Sequence, residues 1–120
     1  MPIDINFTEH TNYLQMKVTG DNKNESMKSL EIAFEKCKNK NYKKLLLDFS
    51  DVDFKYVQDI DRYDFGNKIA DFFPHPNFIK IAAITKKENY TGFANIIAYN
   101  KGANIKTFFK IKDAAKWLDE

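Results

Sequence analysis

The chain has 120 residues and a mass of 14.1 kDa, which is one domain's worth with no room for a second core. Its 43% hydrophobic and 30% charged residues exclude disorder, and no apolar run reaches the roughly 20 residues of a membrane helix. Nineteen basic against 17 acidic residues give a net charge of +2, and Arg62 is the sole arginine; no nucleic-acid partner is expected from so balanced a surface.

Cys37 is the single cysteine, so an intrachain disulfide and a cysteine-based metal cluster are both excluded. The opening Met1-Pro2-Ile3-Asp4 lacks the basic-then-apolar pattern of a signal peptide, and the cytoplasm is the expected compartment. In chain order, Ile3, Ile5 and Phe7 alternate with polar residues and predict a half-buried strand. Glu9 to Asn12 reads as a turn, and Tyr13, Leu14, Met16 and Val18 predict its hairpin partner. Asn24 or Ser26 is the expected cap of a helix whose apolar face is Met27, Leu30, Ala33, Phe34 and Cys37. That helix should end in Lys36, Lys38 and Lys40, where cations meet the negative end of the dipole.

Leu45-Leu46-Leu47-Asp48-Phe49 predicts a strand covered on both faces, as in a parallel sheet under helices. A second helical pattern carries Ile60, Tyr63, Ile69, Phe72 and Phe73, and Pro74 and Pro76 stop it. Residues 78–84 predict another buried strand. A third helix follows with Phe93, Ala94, Ile96, Ile97 and Ala98, ended by Gly102 as a left-handed cap. Ile105 to Phe109 is the last strand, and a final helix begins at Asp113 with Ala114, Ala115, Trp117 and Leu118 as its packing residues. The order ββαβαβαβα predicts a single α/β domain over residues 1–120. Its sheet is mixed, mostly parallel and five-stranded, with about four helices.

The chemistry-bearing residues exclude more than they suggest. His10 and His75 lie on separate turns with no ligand at helical spacing, so no metal is expected. The acids Asp48, Asp51 and Asp53 fail the calcium-loop pattern, because Val52 stands at the fifth position and Asp53 where the turn needs glycine. Capping and solvation are the simpler reading of these carboxylates. There is no G-x-S-x-G elbow, no S-x-x-K and no phosphate loop in a chain with four glycines, so no cofactor is expected. Cys37 on an apolar helix face is inert, and the Lys36 to Lys44 cluster is a solvated helix end. Aromatics make up 15% of the chain, and Tyr56, Tyr63, Phe65, Phe72 and Phe73 crowd one helix and its approach beyond what one stripe requires; an aromatic-heavy core is the simpler reading, and the lining of a pocket or interface the other.

Taken over nearly the whole chain, this pattern resembles the STAS-like superfamily, the domain of bacterial anti-sigma-factor antagonists and of the cytoplasmic tails of sulfate transporters. The resemblance rests on Leu45 to Val52, similar to a strand ending in an Asp-x-Ser-x-Val turn. It rests also on Lys80 to Ile84, on Ala98-Tyr99-Asn100-Lys101-Gly102, and on Ile105 to Phe109 followed by Asp113 to Leu118. The phosphorylated antagonists carry Asp-Ser-Ser/Thr-Gly after that strand, opening a helix where an anion is favoured. Here the matching stretch is Tyr56-Val57-Gln58-Asp59, with Val57 and Gln58 at the two Ser/Thr positions and Asp59 at the Gly position, so the usual serine phosphoacceptor is missing, and Ser50 lies upstream of it. The resemblance implies a non-enzymatic binding module, presenting Tyr56, Val57, Gln58, Asp59 and Tyr63 to a protein partner or a small apolar ligand. Two readings of other classes stand beside it: a small enzyme using Asp48, Asp51, Asp53 and Asp59, and a structural homodimer or larger homo-oligomer joined through exposed aromatics.

Overall fold

The computed structural model describes residues 4–20, 23–52, 64, 67, 80–86 and 104–120. Five strands lie in one sheet in sequence order: β1 (Asp4–Glu9), β2 (Leu14–Gly20), β3 (Lys44–Val52), β4 (Lys80–Ile84) and β5 (Ile105–Phe108). β1 runs antiparallel to β2, and every later neighbour is parallel. The mixed, mostly parallel sheet is therefore the one expected. Two helices have their full extent among the described residues, α1 (Lys23–Lys40) and α2 (Ile111–Asp119). Of the second predicted helix only Asp64 and Asn67 are described, and both are helical; the third lies outside the described residues, as do Gly102 and His75.

Alternation along the strands creates two cores. Leu14, Met16 and Val18 of β2 join Leu45, Leu47 and Phe49 of β3 and Ile81 of β4 on one face. There they meet Leu30, Ala33, Phe34 and Cys37 of α1, with Ile5 and Phe7 of β1 packed at the margin. On the other face Leu46, Ala82 and Ile84 meet Ala114 and Leu118 of α2, flanked by Tyr13, Phe108 and Trp117. The leucine run of β3 thus points leucines both ways, which is why it reads as continuously apolar. Burial pushes the Cys37 thiol up to about 12, so it stays protonated and inert at neutral pH.

The helix ends differ from expectation in instructive ways. α1 starts at Lys23, ahead of both proposed caps, so Asn24 and Ser26 lie inside its first turn. Its C-terminus is closed by backbone geometry as well as charge. Asn41 takes φ 60°, the left-handed region that asparagine tolerates better than most residues. The Tyr42 amide then donates to the Cys37 carbonyl at 2.9 Å and the Asn41 amide to the Lys38 carbonyl at 3.4 Å, a Schellman ending without glycine. Tyr42 also packs against the α1 core and donates its hydroxyl to the His10 carbonyl, pinning the β1–β2 turn to this corner. The lysine cluster is not merely solvated. Lys40 pairs with Glu9 at 2.9 Å and holds its carboxyl below the usual range, and Lys36 lies 4.7 Å over the Phe7 ring.

α2 starts at Ile111, two residues before the predicted Asp113. Its N-cap, Lys110, makes no side-chain cap. Its C-terminal carbonyls are instead met by two lysines that stand opposite each other at the starts of β3 and β4. Lys44 donates to the Leu118 carbonyl, and Lys80 donates to the Trp117 carbonyl at 2.9 Å and the Glu120 carbonyl at 3.1 Å, with its ammonium 4.8 Å over the Trp117 ring. Cationic donors at the last carbonyls satisfy groups the helix cannot and complement its dipole.

Leu118 is fully buried beneath this clamp. Leu118→Ala should therefore cost about 2–5 kcal/mol, read as a lowered midpoint in urea unfolding, whereas Ile111→Ala at an exposed position should stay within about 0.5 kcal/mol. The Cys37 thiol gives a pH signature. A folded-state value raised above the ordinary 9.0 stabilises fully below that pH and loses its contribution as pH rises towards about 12. Burial, with a smaller push from Asp119, raises Tyr13 in the same sense. The urea midpoint should fall from pH 9 upward with burst exposure of Cys37 to a thiol reagent, and a thiol that reacts freely at pH 8 in the folded protein would contradict this burial.

Candidate functional site

The parallel strands β2 to β5 all end at one edge of the sheet, the edge where open α/β sheets commonly place their sites. β3 reaches furthest and delivers the chain to Val52, four residues before Tyr56. The described residues gathered here are Lys17 of β2 and Asp48, Ser50 and Asp51 of β3.

Asp48 corrects the reading of a solvated carboxylate. It is only 5% exposed, and a buried carboxylate needs donors aimed at it. Ser50 supplies two: its backbone amide donates to Asp48 Oδ1 at 3.0 Å and its hydroxyl to the same oxygen at 2.6 Å. This is the local bond that an Asp side chain makes to the amide two residues on, in competition with the strand ladder. The ladder shows the result. Lys17 stands opposite Asp48, yet Thr19 stands opposite Asp51, so two steps on β2 match three on β3. An extra residue in one strand is a bulge, and bulges in parallel pairs are rare.

Asp51 forms an ion pair with Lys17 at 3.0 Å, with both side chains largely in water. The Lys17 ammonium is pushed above its usual value by its bond and charge contact with Asp51, and further by the charge of Asp48. An exposed pair of this kind adds little to stability; its use is that it reports which way Asp51 points.

His10 also departs from the exposed turn residue expected. It is half-buried, stacks on Tyr13 with ring centroids 4.3 Å apart, and places Nε2 2.8 Å from the Gln15 side-chain oxygen. Among the described residues no three His, Cys, Asp or Glu side chains are grouped to hold a metal ion. The residues expected to bind, Tyr56, Val57, Gln58, Asp59 and Tyr63, lie outside the described residues, as do Asp53 and the aromatics Phe65, Phe72 and Phe73. Sequence reasoning missed the Asp48–Ser50 bond, although Asp-x-Ser at the end of an apolar strand is its signal.

Removing either partner of this bond separates its parts. Ser50→Ala keeps the amide donor and should cost about 0.5–1.5 kcal/mol in urea unfolding, while Asp48→Ala leaves both donors without their acceptor and should cost about 1–3 kcal/mol. Equal losses in the two variants would mean that the amide bond carries no weight.

No family model matches the chain, and no curated protein matches its sequence. Solved structures do match it in fold. The crystal structure of an anti-sigma factor antagonist from Mycobacterium paratuberculosis superposes with a TM-score of 0.67 at 12% identity, covering 99% of this chain and 96% of that one. A protein of the DUF3478 family from Shewanella loihica, described as having a SpoIIAA-like fold, superposes with a TM-score of 0.57 at 20% identity, over 97% and 93% of the two chains. Among the described residues no helix is long and apolar enough to cross a membrane. The hairpin start, the run of parallel strands and the closing helix are thus the STAS-like, SpoIIAA-like fold.

Proposed function

We propose that this chain is a non-enzymatic binding module with a regulatory role, which docks a protein partner through the segment that follows β3. Tyr56, Val57, Gln58, Asp59 and Tyr63 form the contact surface. The observation that carries this reading is the likeness in fold, over nearly the full length of both chains, to a protein described as an anti-sigma factor antagonist. The local surplus of aromatic residues supports it, since tyrosine is enriched where protein surfaces bury each other. With Val57 and Gln58 at the two Ser/Thr positions, the serine phosphate switch of the phosphorylated antagonists has no acceptor at those positions.

The enzyme reading gains no support from the acids that are described. Asp48 is buried on Ser50, and Asp51 is turned to Lys17, so neither is presented to a substrate as a free pair. A small apolar ligand and a second copy of the chain are the other occupants the test must separate.

Native mass spectrometry of the protein from its own cells should show a protein partner at defined stoichiometry. Tyr56→Ala and Tyr63→Ala should each weaken that complex about 30-fold, the effect of losing roughly 2 kcal/mol at an aromatic anchor, with the thermal midpoint unchanged. Retained small molecules or a homodimer in place of the partner, or a complex indifferent to both substitutions, would overturn the assignment.

A further inference from the structure

Among the described residues three large apolar side chains stand exposed, and two of them are neighbours. Phe109 is 45% exposed and Ile111 47%, on either side of Lys110 where β5 ends and α2 begins. Residues 109–113 are all exposed, and the chain returns to the core only at Ala114. The third, Ile32, belongs to α1 on the other face of the sheet. A single exposed isoleucine is common in folded proteins. What sets this pair apart is the charge around it.

Lys106, Lys110, Lys112 and Lys116 flank the two apolar residues, and Asp113 is the one acid among them. Four lysines less one acid give residues 106–116 a net charge of +3, more than the +2 of the entire chain. Among the described residues no ion pair neutralises any of the four lysines. Lys106 lies 5.5 Å over the Phe108 ring, on the face of the sheet that α2 covers. Lys112 and Lys116, one helical turn apart and both exposed, share a side of α2.

Charge complementarity selects what can cover this corner. A second copy would set four lysines against four, so the occupant is anionic. Its chemistry follows from the groups on offer. Every cation here is a lysine, a point charge without the fork that reads a base edge or grips a carboxylate at two points. Phe109 and Ile111 offer no side-chain hydrogen bond. The run Phe109-Lys110-Ile111-Lys112 interleaves the two kinds of group. That pattern suits a boundary where apolar side chains enter the acyl region while ammonium groups stay level with phosphates. We propose that the β5–α2 corner seats this protein reversibly on a membrane surface that contains anionic phospholipid. The contact is peripheral, with the Phe109 and Ile111 side chains in the interface and the sheet in water. Two apolar side chains and a few lysines hold weakly when either acts alone, so binding requires both. It is independent of the docking role given to residues 53–63.

The test is flotation of the full chain with lipid vesicles. Vesicles of phosphatidylcholine with phosphatidylserine should carry the protein, vesicles of phosphatidylcholine alone should not, and added salt should release it. Lys110→Gln with Lys112→Gln should weaken the partition about 30-fold, the effect of two lysines at an anionic surface. Lys28→Gln with Lys38→Gln, at exposed positions of α1, removes the same net charge and should weaken it by less than about threefold. Ile111→Ala, expected above to spare the fold, should weaken it about tenfold, and Ile111→Trp should strengthen it. Absence of flotation with phosphatidylserine vesicles would overturn the proposal, as would equal losses from the two lysine pairs. Vesicle binding indifferent to Ile111→Ala would be charge attraction alone and would also overturn it. Tighter binding to polyglutamate or to single-stranded DNA than to vesicles would assign the corner to an acidic protein or a nucleic acid instead.

Discussion

β3 is apolar on both of its faces, and that constraint organises the rest of the molecule. A strand with Leu45, Leu47 and Phe49 on one side and Leu46 on the other needs cover above and below the sheet. α1 supplies one layer and α2 the other, and neither helix buries its stripe without the sheet. β2 and β4 flank β3 in parallel: Met16 and Val18 of β2 join the α1 side, and β4 is apolar on both faces, with Ile81 on the α1 side and Ala82 and Ile84 on the α2 side. β1 and β2 show the simple alternation of strands with one wetter face: Leu14, Met16 and Val18 are buried, whereas Gln15, Lys17 and Thr19 between them are half-buried.

The helices are fixed at their C-terminal ends by groups that come from strands or turns. α1 ends in the Asn41 backbone turn and the Tyr42 side chain, which reaches the His10 carbonyl and so couples helix to hairpin. α2 ends on Lys44 and Lys80, the first residues of two adjacent strands. In both cases a helix terminus with unpaired carbonyls meets a donor whose position the sheet already determines. Sheet register and helix placement are therefore not independent choices: a slip of β3 against β4 would separate the two lysines that α2 requires.

How much of this is legible in sequence depends on the range of the interaction. Period-two and helical patterns identify the described strands and both complete helices, because a buried face forces apolar residues into register with it. Leu30, Ala33, Phe34 and Cys37 are where that rule puts them. Boundaries are less readable. α1 starts ahead of Asn24 and Ser26 because a helix packed on a sheet can extend past good capping residues, and α2 starts at Ile111 without any side-chain cap. Partnerships over long separation, such as Lys44 with Leu118 or Tyr42 with His10, have no local signature, so lysines that look solvated in sequence are structural in the fold. Asp48 misled for a different reason. Asp51 and Asp53 follow it closely in sequence, which suggests an acidic stretch in water, while its partners in space are the hydroxyl and amide of Ser50. Only the aromatic surplus and the resemblance point to the segment carrying Tyr56 and Tyr63, and neither is a geometric signal.

The unequal ends of α2 give it a direction. Its tail is held by two ammonium groups, one of them over the Trp117 ring, whereas its head begins at Lys110 with no side-chain cap and Ile111 in water, and carries Lys112 and Asp113 of opposite charge in its first turn. More groups hold such a helix at Leu118 than at Ile111, so fraying is favoured from the Ile111 end. The first apolar surface uncovered is the Phe108 end of β5, while Leu118 over the centre of the sheet is the last to be wetted.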